Sequence, residues 1–398
     1  MADRSALGRL SRESWFEGRH SLDAGCGQSQ PFSFGPGCSK PLLHTASYPY
    51  HGLYENILGG LSTTVPMTNE RHLIERVHRK LPSRAGGLRV GIGDDACVIR
   101  SRQPAEWVLT TDAFLENVHF LLPLHPPEAV GYKALARATS DIAAMGARPL
   151  YFLLSLALPE ACTKKWLDDF LDGMSRAARK FGLVLAGGDT TRYPLVAINI
   201  TVIGEAAPGR AVLRSGARPG DLLCISGRLG AAELGLRLML RKLHHQKEWK
   251  KLLQKHFYPE PRLALGQWLA KNGRATAMID TSDGLSTDLA HICEASGVGA
   301  RVWSERLPKV AVPRELRNLG LDPLRLALDG GEDYELLFTV PPRLALRLPR
   351  TILGVPVTTI GEITLKKRIL LIDDAGRAEP LPAQGWDPFR KRPIRKRK

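Results

Sequence analysis

The chain of 398 residues lacks several patterns that would assign it to a class at once. Its six cysteines are scattered and include no C-x-x-C pair, which argues against disulfides and against a zinc site. No apolar run reaches the roughly 18 residues that a membrane-spanning helix needs. The opening segment MADRSALGRLSRESWFEGRH has no continuous apolar core of the kind that signal peptides carry. We therefore expect a cytoplasmic protein.

The usual phosphate-binding and nucleophile motifs are missing as well. The chain has no G-x-x-x-x-G-K-[ST] segment, no His-Arg-Asp or Asp-Phe-Gly signature and no G-x-S-x-G elbow. The segment GIGDDA (Gly91–Ala96) matches a loose dinucleotide pattern, but a strand-like run follows it where a helix should begin. Its two aspartates would also repel a phosphate. Any nucleotide must therefore be bound in another way.

The net charge of +16 is unevenly distributed along the chain. The segment RKRPIRKRK (390–398) carries seven positive charges, and LRLMLRKLHHQKEWKKLLQKH (236–256) is a second basic cluster with the spacing of an amphipathic helix. Such clusters can bind nucleic acid. However, no aromatic residues that could stack on bases are interleaved with the charges of the tail. The favoured interpretation is a solvated tail and a solvated helix face, and nucleic acid is not an expected partner.

The remaining pattern predicts a mixed α/β (α+β) protein with two domains. Strand-like and helix-like segments alternate from Leu88 onward, and a turn-rich break, AAPGRAVLRSGARPGD, divides them into two halves. The first 66 residues are rich in Gly, Ser, Pro and His and show no sustained period. We interpret them as a disordered extension, or as sequence upstream of a true start at Met67. The predicted units are 1–66, an N-terminal domain 67–208, a C-terminal domain 209–389 and a basic tail 390–398.

Five segments that contain aspartate are the most informative feature. They are GIGDDA (91–96), TTD (110–112), TSD (139–141), GGDTTR (187–192) and DTSDGLSTD (280–288). Most follow an apolar run typical of a strand, so their carboxylates would meet at one end of a sheet and repel each other. A cation must then lie between them, and oxygen ligands without His or Cys suit Mg²⁺. Several Mg²⁺ ions in turn indicate a bound polyphosphate and nucleotide chemistry.

Each segment also has a simpler structural interpretation. GIGDDA is a plausible hairpin turn, and Ser286 or Thr287 is the expected cap of a helix that begins at Thr287. GGDTTR is more specific, because its glycines allow backbone to approach a phosphate while its acid binds metal. His119, in ENVHF, either meets an anionic substrate or packs. Turns and caps explain single acids, but not all five segments together.

In order and at matching spacing, seven segments resemble the thiamine-monophosphate kinase family, of the superfamily typified by aminoimidazole ribonucleotide synthetase. They are GIGDDACVI, TTDAFLENVHF, ALARATSDIAAMGARP, GGDTTR, LRSGARPGD, DTSDGLSTDL and LDGGEDYELLF. The resemblance runs from about Met67 to Phe389. It implies ATP-dependent phosphorylation of thiamine monophosphate to thiamine diphosphate. It also implies a homodimer whose N-terminal sheets pair, a C-terminal α/β domain, and active sites in the cleft between the domains.

The resemblance assigns roles to individual residues. It implies that several Mg²⁺ ions are held by Asp95, Thr110, Thr111, Asp112, Asp141, Asp189, Asp280 and Asp283. ATP, the co-substrate, would contact Gly188, Arg214 and Ser282. Thiamine monophosphate would contact His119, Glu332 and Trp386. Many relatives have tyrosine at the last position, where tryptophan can still stack on the substrate rings. Asp94 is a turn residue or a further metal ligand beside Asp95.

The implied reaction agrees with the residues. An acceptor that is already an ionised phosphate needs little help from a general base, and no obvious base occurs in the chain. We therefore predict direct in-line transfer without a phosphoenzyme. Two alternatives remain: a sister ATP-dependent enzyme, such as a selenophosphate or aminoimidazole ribonucleotide synthetase, and a non-catalytic basic nucleic-acid-binding protein. The full set of metal-type acids argues against the second.

Overall fold

The computed structural model describes residues 76–82, 87–90, 98–99 and 104–388. The predictions for residues 1–66, for Asp94 and Asp95 and for the basic tail 390–398 lie outside these residues. Within them, helices and strands alternate as the sequence predicted, which confirms a mixed α/β protein. No helix of this described part is long and apolar enough to span a membrane.

The first described elements are the helical segment α1 (76–80) and a small hairpin. Strands β1 (Leu88–Val90) and β2 (Val98–Ile99) pair antiparallel. The hairpin predicted around GIGDDA is therefore confirmed, although its tip lies outside the described residues.

A four-stranded sheet forms the core of the first half. Its strands are β3 (Glu106–Leu115), β4 (Arg148–Leu158), β5 (Val184–Arg192) and β6 (Ala197–Ala206), in the order β3-β6-β4-β5. Helices α2 (Pro127–Ala144) and α3 (Lys165–Phe181) pack in one hydrophobic core with one face, which we call the inner face. On β6 the residues Ile198, Ile200 and Val202 are buried there, while Asn199 and Thr201 point to the outer face. This alternation follows from the two-residue period of a strand.

Glycine allows α2 and α3 to approach closely. A Cβ atom on Gly131 would lie 1.9 Å from the carbonyl oxygen of Phe170, and one on Gly173 would lie 1.9 Å from that of Glu128. Gly266, on a helix of the second half, has a similar contact, since its Cβ would lie 2.1 Å from the carbonyl oxygen of Ala143. The small residues of α2 therefore let other helices pack backbone to backbone on both of its sides.

The second half contains an eight-stranded sheet. Its strands are β7 (Leu222–Ser226), β8 (Ala277–Asp280), β9 (Gly299–Trp303), β10 (Leu336–Val340), β11 (Thr351–Ile352), β12 (Val355–Thr364), β13 (Ile369–Ile372) and β14 (Ala378–Pro380). The order is β14-β13-β9-β12-β7-β10-β8, and β11 pairs with β12. All five residues of β10 are buried. This explains why LLFTV reads as a continuous run instead of an alternating one.

Seven helices accompany this sheet in the described residues. They are α4 (Ala231–Leu240), α5 (Gln254–Phe257), α6 (Leu263–Lys271), α7 (Leu285–Ser296), α8 (Arg314–Asn318), α9 (Pro323–Asp329) and α10 (Pro342–Ala345). The last strand of the first sheet ends at Ala206 and β7 begins at Leu222. The exact domain boundary at 208/209 stays a prediction.

The basic segment 236–256 is not the single amphipathic helix that its spacing predicted. Helix α4 ends at Leu240, Lys242 adopts a left-handed φ of 59°, and a 3-10 helix (Lys247–Leu253) precedes α5. The break lets Leu253 and Phe257 fold back into one hydrophobic cluster with Leu234 and residues near it. A continuous helix would have carried Phe257 about 25 Å beyond the end of α4, because each residue adds about 1.5 Å.

The close contact between α2 and α3 gives a prediction about stability. We expect Gly173→Ala to lower the free energy of unfolding by about 1–3 kcal/mol, because its methyl group must push the two helix backbones apart. Denaturant unfolding measures this change. Gly187→Ala is the matched control, since its Cβ would meet only a side-chain atom of Leu153 at an ordinary 3.5 Å. Equal stability of the two variants would contradict the packing described here.

Candidate active site

Two acids of the first half meet between β3 and α2. Thr110 and Asp112 are two residues apart on the strand, and Arg137 and Asp141 are four residues apart on the helix, which makes both spacings about 6 Å. The two pairs face each other. The Thr110 hydroxyl donates a hydrogen bond to Asp141 Oδ2. Arg137 Nε and Nη2 donate to the two carboxylate oxygens of Asp112, each at 3.1 Å.

Two further acids come from the turn DTSDG of the second half. Asp280 ends β8 and is buried, and Asp283 follows in the turn. The segment before β10 fixes this turn, because Glu332 N–H donates to the Ser282 carbonyl (2.8 Å) and Tyr334 N–H donates to the Thr281 carbonyl (2.9 Å). The backbone of Glu332 and Tyr334 thus anchors the two middle residues of the turn, Thr281 and Ser282.

The cap prediction for the following helix was wrong. Helix α7 begins at Leu285 after Gly284, so Ser286 and Thr287 lie inside the helix and do not cap it. Asp288 does act in the first turn, where its Oδ2 accepts a hydrogen bond from the Gly284 N–H (3.0 Å). Gly284 has a φ of 117°, which favours glycine and lets the chain turn directly from the acidic loop into the helix.

The acids from the two halves lie close enough to raise one another's pKa. Burial, followed by the charge of Asp141, raises the pKa of Asp280 to about 7. The pKa of Asp141 is raised by burial and by Asp112, and that of Asp283 by burial with a smaller effect of Asp112. Burial together with Asp280 and Asp283 also raises the pKa of Asp288. These carboxyl groups therefore share one electrostatic environment.

Two arginines oppose this negative charge. Arg137 forms the two hydrogen bonds to Asp112 and also lowers the pKa of Asp141 and Asp283. Arg214, in the segment between the two sheets, lowers the pKa of Asp141, Asp280 and Asp283. Its position agrees with the role in binding an anionic ligand that the resemblance implied.

The donor set fits a hard divalent cation. Within the described residues, Asp280 Oδ2 is buried without a hydrogen-bond partner, which leaves a carboxylate oxygen open to an additional ligand. The same part of the chain contains no group of three or more His, Cys, Asp or Glu side chains arranged to hold a metal ion by themselves. Mg²⁺ usually takes one or two carboxylates together with phosphate oxygens. The residues thus fit ions shared with a polyphosphate.

Two of the predicted metal residues, Thr111 and Asp189, do not join this group of acids. Asp95 lies outside the described residues. The Thr111 hydroxyl points to the outer face of the sheet, where it accepts hydrogen bonds from Asn199 Nδ2 (3.0 Å) and Thr201 (3.2 Å). Asp189 is exposed on the opposite edge strand, in register with Ser155. Three strand spacings, about 14 Å, separate this edge from β3.

Gly188 lies beside Asp189 and has a structural reason to be glycine. Its φ is 158°, and a Cβ atom would lie 2.0 Å from the carbonyl oxygen of Leu154 on the neighbouring strand. The residue is therefore fixed by the pairing of β4 with β5, whether or not it also contacts ATP.

His119 both packs and lies at the site. Its ring stacks on Phe114, with centroids 5.7 Å apart, and its Nδ1 accepts the Leu115 N–H at 3.0 Å. Burial, then the charge of Arg137, lowers the pKa of His119 to about 4. The imidazole is therefore neutral near pH 7. Because Nδ1 is the acceptor, the ring proton is assigned to Nε2.

Backbone hydrogen bonds of the C-terminal segment hold Trp386 beside the acidic turn. Trp386 N–H donates to the Asp283 carbonyl (2.8 Å), and Gly385 N–H donates to the Thr287 hydroxyl (3.0 Å). The indole remains 36% exposed.

Sequence reasoning missed two basic residues of this site, Lys133 and Arg137. Both lie on α2, and the spacing 133, 137, 141 places them on one helical face with Asp141. Lys133 is only 1% exposed and binds Glu332. The available signal was two cations at four-residue spacing in a helix otherwise rich in alanine and other small residues.

Comparison with known proteins agrees with this arrangement. The family model for the AIR synthase related protein, N-terminal domain, matches residues 93–206, and that for the C-terminal domain matches residues 218–374. The chain is 39% identical over 324 residues to the thiamine-monophosphate kinase of Salmonella typhimurium, which covers 80% of this chain and 98% of that protein. The family resemblance is therefore confirmed.

Solved structures give the same result for the fold. A crystal structure of thiamine-monophosphate kinase from Stenotrophomonas maltophilia is similar with a TM-score of 0.67 and 37% identity, covering 77% of this chain and 96% of that one. A structure of AaThiL complexed with AMPPCP and TMP has a TM-score of 0.63 and 32% identity, covering 82% and 99%. The expected two-domain fold is confirmed.

The pairing of Arg137 with Asp112 gives a prediction about the metal-free protein. In the presence of EDTA, we expect Arg137→Met to lower the free energy of unfolding by about 2 kcal/mol, because Asp112 is left half-buried and unpaired among other acids. Denaturant unfolding measures the loss. The double variant Arg137→Met/Asp112→Asn should recover most of it, since both charges are then removed. An equal loss in the single and double variants would contradict the charge account.

Proposed function

The chain belongs to the thiamine-monophosphate kinase family, and from this premise we propose that it phosphorylates thiamine monophosphate with ATP to give thiamine diphosphate. A terminal phosphate oxygen of the acceptor forms a bond to the γ-phosphorus, and the bond from that phosphorus to the oxygen of ADP breaks. The observation that carries the proposal is that four acids from both halves of the chain influence one another's pKa, namely Asp112, Asp141, Asp280 and Asp283. The similarity to the Salmonella typhimurium enzyme, which extends over 98% of that enzyme's length, also supports it.

We propose that these four acids and Asp95 hold Mg²⁺ ions together with the phosphates of ATP. The unpartnered Oδ2 of Asp280 supports this role. The Thr110 hydroxyl orients Asp141 through its hydrogen bond. Thr111 can contribute through its backbone carbonyl, because its hydroxyl is on the outer face. Bound Mg²⁺ would supply charge neutralisation and alignment of the two phosphates.

The residues around the acceptor support direct in-line transfer. The acceptor phosphate is ionised and needs no general base. His119 is neutral, and its assigned Nε2–H can donate a hydrogen bond to the substrate but cannot attack phosphorus. Arg137 and Arg214 add positive charge near the transferred group. No phosphoenzyme is needed, and transfer proceeds in one step.

The remaining contacts are proposed in the same way. Arg214, Ser282 and Gly188 bind ATP, and His119, Glu332 and Trp386 bind thiamine monophosphate. The charge of Lys133 outweighs burial and lowers the pKa of Glu332 to about 2, so this carboxylate is ionised and suits the cationic thiazolium ring. The exposed indole of Trp386 can stack on an aromatic ring of the substrate.

A homodimer accounts for the position of Asp189. Trp107 and Leu109 of the outer face are 40% and 62% exposed, although both are large apolar side chains. We propose that two outer faces pack against each other around a two-fold axis, with the β5 edge of one subunit beside the β3 edge of its partner, so that Asp189 reaches the inner-face acids around that edge. Asp189 and Gly188 of one subunit then serve the site of its partner. This arrangement would bring Asp189 to acids that it cannot reach within its own chain.

The activity is tested by ADP release from purified protein with Mg²⁺ and ATP, first with thiamine monophosphate and then with free thiamine. We expect turnover only with the monophosphate, and a loss of at least about 100-fold in Asp112→Asn, since that acid neutralises charge at the transferred group. Asp169→Asn is the matched control, because Asp169 pairs with Lys165 on the surface of α3. Its activity should be unchanged. If the protein binds ATP but releases ADP with neither acceptor, a sister reaction of the same superfamily is favoured.

The shared site is tested with mixed dimers of Asp112→Asn and Asp189→Asn. Each variant alone should be inactive. After mixing and exchange of subunits, we expect about one quarter of the wild-type activity, because about half of the dimers are mixed and each has one intact site. If Asp189 serves its own subunit, the mixture stays inactive. A monomeric mass by light scattering would contradict the dimer itself.

A further inference from the structure

A buried polar network next to Glu332, a proposed substrate-binding residue, joins the two halves of the molecule. Lys133, on α2, has a side chain that is 1% exposed, and its Nζ donates to Glu332 Oε2 at 2.7 Å. Glu332 lies on the segment before β10 and has a left-handed φ of 68°. The ion pair therefore connects the helix that carries Arg137 and Asp141 with the segment that holds the acidic turn.

Two histidines extend this ion pair into the interior. His256 Nδ1, on α5, lies 3.4 Å from both Lys133 Nζ and Glu332 Oε2. His256 Nε2 is 3.1 Å from His125 Nε2, and His125 Nδ1 is 3.1 Å from the Leu121 carbonyl oxygen. His125, Lys133 and His256 are buried, whereas the Glu332 side chain keeps 22% of its surface exposed. Glu332 is thus the end of the network that opens towards the site.

Burial and the charge of Lys133 keep the two histidines of the network uncharged. Burial, then the charge of Lys133, lowers the pKa of His125 to about 4 and holds that of His256 well below its usual value, so both rings are neutral. An ammonium group only donates, so His256 Nδ1 accepts from Lys133. His256 Nε2 and His125 Nε2 lie 3.1 Å apart, and His125 Nδ1 lies 3.1 Å from both the Leu121 backbone nitrogen and the Leu121 carbonyl oxygen.

Such a network is costly to bury, and stability alone does not explain it. A buried ion pair contributes little net stability compared with apolar side chains of similar volume. Its specific effect here is on Glu332, whose pKa is lowered by Lys133 and, to a smaller extent, by Arg137. If Lys133 were absent, the Glu332 carboxylate could turn towards Arg137 and compete with Asp112 for it.

We propose that Lys133 is a positioning residue for substrate recognition. It holds the Glu332 carboxylate in place for the positively charged ring of the acceptor, and His256 and His125 fix the direction of its ammonium group. This inference rests on the proposed function, because it takes the acceptor to be a cationic thiazolium phosphate. The lysine acts only through Glu332 and does not contact the substrate.

A double-mutant cycle with Lys133→Met and Glu332→Gln tests the proposal. We expect each single variant to raise the KM for thiamine monophosphate about tenfold, with kcat and the KM for ATP changed less than threefold. In the Glu332→Gln background, Lys133→Met should add no further increase, because the group through which it acts is already gone. Additive increases in KM, or a loss confined to kcat, would overturn the proposal.

Three controls separate the outcomes. Lys180→Met removes a surface ion pair with Glu260 and should leave the KM unchanged. If Lys133→Met does not fold, the same cycle is run with His256→Asn, which keeps the ion pair, and additivity there also overturns the proposal. Wild-type turnover of thiamine monophosphate is measured first. An active wild type with additive variants refutes the positioning role alone, whereas an inactive wild type refutes the proposed function.

Discussion

Mutual repulsion among carboxylates is the constraint on which the rest of the molecule depends. Asp112 and Asp141 come from the first half and Asp280 and Asp283 from the second, and each raises the cost of charging another. The pairing of Asp112 with Arg137 reduces this cost, while burial and the charge of Asp141 raise the pKa of Asp280 to about 7. Asp280 Oδ2 is buried without a hydrogen-bond partner among the described residues. The metal and polyphosphate of the proposed function would balance the remaining negative charge.

The scaffold keeps the acids together against this repulsion. In GGEDYEL, three neighbouring acids each hold a different element. Glu332 binds Lys133 of α2, Asp333 accepts the Gly230 and Ala232 N–H groups at the start of α4, and Glu335 accepts two hydrogen bonds of 2.6 Å from Arg262. The same segment donates backbone hydrogen bonds to the acidic turn. The position of the turn is therefore set by buried charge pairs instead of by the turn itself.

Much of this could be predicted from local patterns. Apolar runs located the strands, and aspartates after those runs located the acids of the site. Strand alternation also predicts that Thr111 and Asp112 face opposite sides, although the family pattern groups them together. The remoteness of Asp189 could not be predicted, because it depends on the strand order β3-β6-β4-β5, which no local pattern encodes. The break after Leu240 likewise depends on a hydrophobic cluster formed by residues distant along the chain.

The most direct test of the central claim is anomalous scattering from crystals grown with Mn²⁺ and a non-hydrolysable ATP analogue. The account predicts manganese peaks bridging the phosphates to carboxylate oxygens of Asp112, Asp141, Asp280 and Asp283, at about 2.2 Å from those oxygens. It also predicts that one of these ions occupies the open side of Asp280 Oδ2. A nucleotide bound elsewhere, or bound here while these four carboxylates remain without metal, would contradict it.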